Sequence, residues 1–206
     1  MNKSILSLLL VFFLAGNLFA GNKKIGFTAG VVGASQNVTG NKNSIFDYSV
    51  NPVLAFSCNL HGSYYFNSRI GIGFEPGYIG KGGRTDFSTI RYHYIQAPIF
   101  CNFLLNEKLA LSAGGEFNYL VARYFHNTAF DYRSDNLAEL GNRTEFGLTA
   151  GVAYEIFHFM DVGLRYSHAL NVTEEVGETD NVGNPLNKIK FYNHYTQLYL
   201  RFKFQP

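Results

Sequence analysis

The sequence predicts an all-β fold: an eight-stranded, antiparallel, up-and-down transmembrane β-barrel. Three observations predict it. First, the stretch Leu109 to Val121 alternates strictly. Leu109, Leu111, Ala113, Gly115, Phe117, Tyr119 and Val121 fall on one side, and Ala110, Ser112, Gly114, Glu116, Asn118 and Leu120 on the other. Period two is the signature of a strand. The run exceeds the roughly 5–6 residues usual in soluble sheets and approaches the length a tilted membrane-crossing strand needs. Second, seven other stretches of the chain repeat the pattern. Third, the connections between the eight alternate in length, so all the short turns lie at one end.

The N-terminus stands apart from this pattern. Lys3, the apolar run Ile5 to Ala15 and the short segment Gly16 to Ala20 have the layout of a secretory signal peptide. Cleavage is expected near Ala20, leaving residues 21–206 as one outer-membrane barrel domain. The apolar run is too short to span a bilayer as a helix. No Cys follows the site, which argues against a lipid anchor.

The first strand is expected over Lys24–Ser35, with Ile25, Phe27, Ala29 and Val31 on one face. A polar loop, Gln36 to Ser49, follows. The second, Pro52–Phe66, sets Leu54, Phe56, Cys58, Leu60 and Tyr64 against Ser57, Asn59, His61 and Ser63, and turns at Asn67-Ser68. The third, Arg69–Lys81, sets Ile70, Ile72, Phe74 and Tyr78 against Arg69, Gly71, Gly73 and Glu75. The fourth, Thr89–Leu104, contains Pro98, which cannot donate to a ladder, so a bulge is expected there. A short turn at Asn106-Glu107 leads into the fifth, Lys108–Phe125. The sixth, Arg143–Phe157, and the seventh, Phe159–Asn171, meet at His158. The eighth, Ile189–Phe204, ends the chain, after an acidic loop Val172 to Asn187.

Short turns at one end and longer polar loops at the other are the habit of bacterial outer-membrane barrels, with the short turns in the periplasm. Alternation alone does not say which face is outside, since a soluble secreted ligand-binding barrel reverses it. Three features favour apolar-out. The polar face is rich in Gly, Ala, Ser and Thr, which suits a narrow lumen. It carries near-balanced charge, with Glu75, Glu116, Glu145, Glu155 and Asp161 against Arg69, Arg165, Arg201 and Lys203. Aromatics gather at strand ends on the apolar face: Tyr64, Phe66, Phe103, Phe202 and Phe204 at one end, and Tyr78, Tyr119 and Tyr166 toward the other. These nine charged residues are expected to form a structural lumen network.

Several function classes receive no support. The formal charge is +2, and about +1 once Lys3 leaves, so nucleic-acid binding is not implied. No metal-ligand spacing, phosphate loop or CxxC occurs, and no cofactor, metal or catalytic site is expected. Cys58 and Cys101 are expected as free, lipid-facing thiols, because a whole strand separates them. A surface lipid hydrolase would need a base beside a hydroxyl. The candidates are His126 with Ser134 and Asp131, or Ser167-His168, whose members face opposite ways. A narrow ion pathway along Glu116, Glu145 and Arg165 is the transport alternative. It competes with a filled lumen, because an eight-stranded barrel is just wide enough for side chains to fill. The acids Glu174, Glu175, Glu178 and Asp180 are read as solvated.

Tyr94-Ile95-Gln96-Ala97-Pro98-Ile99-Phe100, Lys108 to Gly115, Phe146 to Gly151 and Val162 to Tyr166 together resemble a known pattern, as does Phe74-Glu75-Pro76-Gly77-Tyr78 with Lys81-Gly82. It is that of the porin-family, PorT-like outer-membrane β-barrels of Bacteroidetes. The motifs are structural, so the resemblance implies a fold and a location but carries over no functional residues. The transport-associated alternative includes a secretion-system accessory barrel. The implied partners are outer-membrane lipid and the barrel-assembly machinery, which reads a C-terminal aromatic strand such as Leu200 to Phe204. A monomer is expected, with the ligand of the long loops unspecified.

Overall fold

The computed structural model describes residues 22–40, 50–127, 131–135, 143–179 and 185–204. The proposed signal segment and its cleavage site lie outside these residues. The described chain forms eleven strands: β1 (Asn22–Thr39), β2 (Val53–Tyr65), β3 (Ile70–Phe74), β4 (Gly77–Arg84), β5 (Ser88–Leu104), β6 (Leu109–Asn127), β7 (Tyr132–Ser134), β8 (Thr144–Phe157), β9 (Met160–Ala169), β10 (Glu174–Thr179) and β11 (Pro185–Phe204).

These eleven strands close into a hydrogen-bonded ring of eight positions. Every pairing is antiparallel and joins neighbours in the ring, from β1–β2 round to β9–β11. The last pair, β1 with β11, runs from Ile25↔Phe204 to Thr39↔Lys190 and shuts the sheet on itself. A closed sheet leaves no unpaired edge, which is what a strand in hydrocarbon requires. The three strands beyond eight have separate causes. β3 and β4 share one position in the ring. β7 pairs with the end of β6 and β10 with the start of β11, both inside stretches expected to be plain loops.

Prolines cause the β3–β4 break. The Glu75 N–H donates to the Pro98 carbonyl at 3.1 Å, and the Leu60 N–H donates to the Pro76 carbonyl at 2.9 Å. Such antiparallel pairs normally exchange two bonds, but neither proline has an N–H to return. The ladder therefore thins around Glu75 without changing register, since Phe74↔Ile99 and Gly77↔Gln96 lie on one line. The bulge expected at Pro98 is not there. Pro98 stays in register opposite Glu116, on the side of β5 where no proline donor is needed. The shift falls instead between His93 and Tyr94, which pair with Ala122 and Leu120 and leave Val121 as the extra residue.

Two of the short turns use one device. Asn67 Oδ1 accepts from the Arg69 and Ile70 N–H groups, and Asn106 Oδ1 accepts from those of Lys108 and Leu109, all at 2.8–2.9 Å. An Asn side chain that caps two amides fixes a tight reversal.

The faces are those of a barrel turned inside out. Leu54 on the outside is 73 % exposed, while Lys81 on the inside is 1 % exposed. The odd residues of the Leu109–Val121 run face outward, as the apolar-out reading expects, with Leu111, Phe117, Tyr119 and Val121 all exposed. Both cysteines are free and exposed on that surface, on β2 and β5, with β3 and β4 between them. Aromatic pairs mark its ends: Tyr64 meets Phe66 edge-on at 5.3 Å, and Tyr78 hydrogen-bonds His93, whose ring meets Tyr124. The interior is not wholly polar. Val32, Val53, Ile79, Tyr92, Tyr94, Leu120 and Tyr195 pack together in the half nearer the long loops.

Candidate functional site

The chemistry of the molecule is concentrated in its lumen, as a stack of buried ion pairs. At the short-turn end, Glu155 and Asp161 lie directly opposite each other on β8 and β9. Two like charges so placed repel. Lys203 of β11 resolves this by reaching Glu155 at 2.5 Å and Asp161 at 2.7 Å.

The next tier is built on Glu75, which is completely buried. Arg165 Nη2 donates to Oε2 at 2.7 Å and Arg201 Nη2 to Oε1 at 2.8 Å. His61 Nδ1 lies 2.8 Å from Oε1. Arg201 also reaches Asp161 at 3.6 Å, which joins the two tiers. The guanidinium of Arg165 is stacked against Phe100 and Tyr199, each about 5.1 Å from the ring centre. Small residues make room for those rings. A Cβ on Gly163 would collide with the Tyr199 ring, and one on Gly73 with the Phe100 ring.

The third tier inverts the second. Lys81 Nζ donates to Glu116 Oε1 at 2.9 Å and to Glu145 Oε1 at 2.7 Å. It lies over the rings of Tyr195 and Tyr94. Neutral donors complete both carboxylates: Tyr195 and Asn118 on Glu116, and Asn118, Asn193 and Thr173 on Glu145. At the long-loop end, Glu174 accepts from Arg123 at 2.8 Å and from the Tyr92 hydroxyl at 2.5 Å.

Of the nine residues expected in this network, Glu75, Glu116, Glu145, Asp161, Arg165, Arg201 and Lys203 are buried within it, and Glu155 is half-buried. Arg69 is not in it. It occupies the exposed turn before β3, where the parity of the strand no longer directs it inward. Lys81, Arg123 and Glu174 belong to the network and were not expected there. Lys81 shares the odd parity of Glu75, so its position was readable. Arg123 faces in only because the extra residue at Val121 reverses the parity of β6. Glu174 turns inward from a segment read as solvated. Its neighbour Glu175 pairs with Lys188 at 2.5 Å across β10 and β11, and that ammonium holds the Glu175 carboxyl below its ordinary range. Glu178 and Asp180 lie outside the residues whose side chains are described.

The hydrolase candidates do not assemble. His126 lies 3.3 Å from Asp131, but its cross-strand partner is Arg133, and Ser134 pairs with Phe125. Adjacent positions face opposite ways, so His126 and Ser134 lie on opposite faces of the β6–β7 extension. Ser167 is buried inside the ring and His168 points outward. No group of three or more His, Cys, Asp or Glu converges as a metal cage among the described residues.

A family model described as "Outer membrane protein beta-barrel domain" matches residues 19–174. The chain belongs to that family. It is an outer-membrane β-barrel, and its outward apolar band is the surface that meets lipid. Among solved structures it is similar to the neisserial surface protein A, NspA. That likeness has a TM-score of 0.52 at 12% identity and covers 87% of this chain and 97% of that one. Similarity extends to OprG from Pseudomonas aeruginosa, with a TM-score of 0.47 and 11% identity over 91% and 97% of the two chains. It extends also to Ail of Yersinia pestis, with a TM-score of 0.42 and 13% identity over 88% and 99%. At such identity the likeness to NspA shows the fold alone. No curated protein matches the chain in sequence. These matches assign the barrel to the domain family and to no narrower group.

Proposed function

We propose that this barrel is a closed structural protein of the outer membrane that acts through its long-loop end, and that it is neither a pore nor an enzyme. The observation that carries this reading is the obstruction of the lumen. Glu75 with Arg165 and Arg201, and Lys81 with Glu116 and Glu145, tie side chains from separate walls together across the interior. An ion passing through would have to break these buried pairs, which is costly because each leaves a buried charge uncompensated. The separation of His126 from Ser134 removes the strongest hydrolytic candidate. In this reading the short turns face the periplasm and the loops after β1, β4, β6 and β9 face outward. The mature chain begins after a cleavage near Ala20 and works as a monomer. The aromatic strand ending at Phe204 is its signal to the assembly machinery. The Tyr94–Phe100 motif supports placing it with the porin-family, PorT-like barrels of Bacteroidetes.

Planar-bilayer recording tests the closed lumen. The expected result is negligible conductance. A stable single-channel current abolished by Glu116→Ala would overturn the reading. A photo-crosslinker at the exposed Tyr132, used in intact cells, is expected to capture a surface partner. Labelling by lipid alone would argue against a binding role for that loop.

A further inference from the structure

We infer that the outward wall at the short-turn end seats one anionic glycerophospholipid of the inner leaflet, with an acyl chain in a trough over Gly62 and its phosphate at Lys23. The choice of leaflet rests on the reading that the short turns face the periplasm. The first observation is shape, and it follows from the register. Ile25 pairs with Gly62, Gly62 with Phe74 and Phe74 with Ile99, so one row of outward positions crosses β1, β2, β3 and β5. Ile25 and Ile99 stand out from the wall, 61 % and 59 % exposed. Gly62 between them has no side chain, and the row is broken there. The result is a hollow of about 630 Å³, walled by Ile25, Tyr64, Phe66, Ile72, Phe74 and Ile99. That is within the roughly 300–1,000 Å³ of small-molecule sites. A flat apolar band touches a lipid tail on one side, whereas a trough packs against it on several.

The second observation is the chemistry of the lining. It is almost wholly apolar, and its charged members are two lysines with no carboxylate. Whatever lies over Gly62 must be hydrocarbon, since a sugar or a peptide backbone would leave polar groups unsatisfied against that wall. The trough opens on the outward band, which is the surface that meets lipid.

The third observation is where the charge stands. Lys23 pairs with Tyr64, one outward position nearer the short-turn end than Gly62. It shares the parity of Ile25 and faces outward. Lys24 has the opposite parity and lies over the Tyr65 ring. Tyr64 and Phe66, in contact edge-on, mark this end of the band, and an aromatic girdle lies at headgroup level. Lys23 is therefore level with the headgroups, and the trough runs from it into the hydrocarbon. An ammonium above and an apolar trough below match a lipid with an anionic head and a chain that descends past Gly62.

The test is native mass spectrometry of the protein purified in detergent, titrated with phosphatidylglycerol or with phosphatidylethanolamine bearing the same chains. One phosphatidylglycerol per barrel should be retained, saturably. The net-neutral phosphatidylethanolamine should bind about fivefold more weakly, the worth of one lysine at a membrane surface. Lys23→Gln should bring the two lipids to the same level. Gly62→Leu should abolish the saturable step for both. A Cβ at Gly62 comes no nearer than 3.9 Å to the Phe74 carbonyl oxygen, an ordinary contact, so the filled barrel should still fold and keep its heat-modifiable mobility. Equal affinity of the unaltered protein for the two lipids, or equal retention by the parent and Gly62→Leu, would overturn the inference. So would a dimer that Gly62→Leu disperses, since the trough would then belong to a second copy. These three outcomes leave the orientation of the barrel standing. Retention of lipid A in preference to phosphatidylglycerol would overturn the inner-leaflet assignment and count against that orientation as well. The comparison of lipids uses the unaltered protein and does not depend on a variant assembling.

Discussion

Glu75 and Lys81 stand on one wall of the barrel and are built as opposites. Glu75 is one carboxylate held by two guanidinium groups and an imidazole. Lys81 is one ammonium held by two carboxylates. The lower hub draws its cations from residues that keep their charge at any ordinary pH. The upper hub has one cation for two anions and makes up the deficit with neutral donors: Tyr195, Asn118, Asn193 and Thr173. The lumen is therefore polarised along its axis. Arg123 and Lys81 face three carboxylates at the long-loop end, while Arg165, Arg201 and Lys203 match Glu75, Glu155 and Asp161 one for one toward the short-turn end. A narrow barrel can bury this much charge because each hub links several strands, so the cost of desolvation is shared by contacts that also fix the register.

The largest expected effect comes from removing the shared cation. Lys81→Met leaves Glu116 and Glu145 close together without a counter-ion, and should cost about 3–5 kcal/mol, the range for breaking a buried pair. The check is the urea midpoint of refolded protein and its heat-modifiable gel mobility. Adding Glu116→Gln should recover part of the loss. If Lys81→Met unfolds like the parent, the upper hub is not a buried pair. Glu75→Gln should cost somewhat less, about 3 kcal/mol, because Arg201 keeps Asp161 while Arg165 loses its carboxylate. Equal or larger losses at Glu75 would reverse the ordering of the hubs. Glu174→Gln should cost only about 1 kcal/mol, since its pair with Arg123 is partly open to water and screened. The smallest effect belongs to Arg69→Ala, within about 0.5 kcal/mol as for an exposed site. A larger change would place Arg69 in the lumen after all.

Much of this was legible in the sequence, for a physical reason. Side-chain direction in a strand is a local property, so parity alone assigned Glu75, Glu116, Glu145, Arg165 and Arg201 to one interior. What failed depended on the third dimension. Arg69 has the right parity but sits past the end of its strand. Arg123 reads as outward until Val121 is seen as an extra residue, and nothing local to Val121 marks it. Pro98 looked like the place for a bulge, yet its lost donor faces Glu75, where Pro76 already thins the ladder. Glu174 was read from the composition of its loop, whereas its partner Arg123 is 51 residues away in the chain. The apolar packing of Val32, Ile79 and Leu120 inside the ring was also hidden, because a strand pattern does not say what fills the far side of a barrel.

The central claim is that direct pairs of buried charge close the lumen. A double-mutant cycle on Glu75 and Arg165, 90 residues apart in sequence and 2.7 Å apart in the barrel, tests it most directly. Glu75→Gln, Arg165→Met and the double variant should show a coupling of about 1–3 kcal/mol, with the double variant more stable than the sum of the two singles predicts. Losses that add to within about 0.5 kcal/mol would contradict the account.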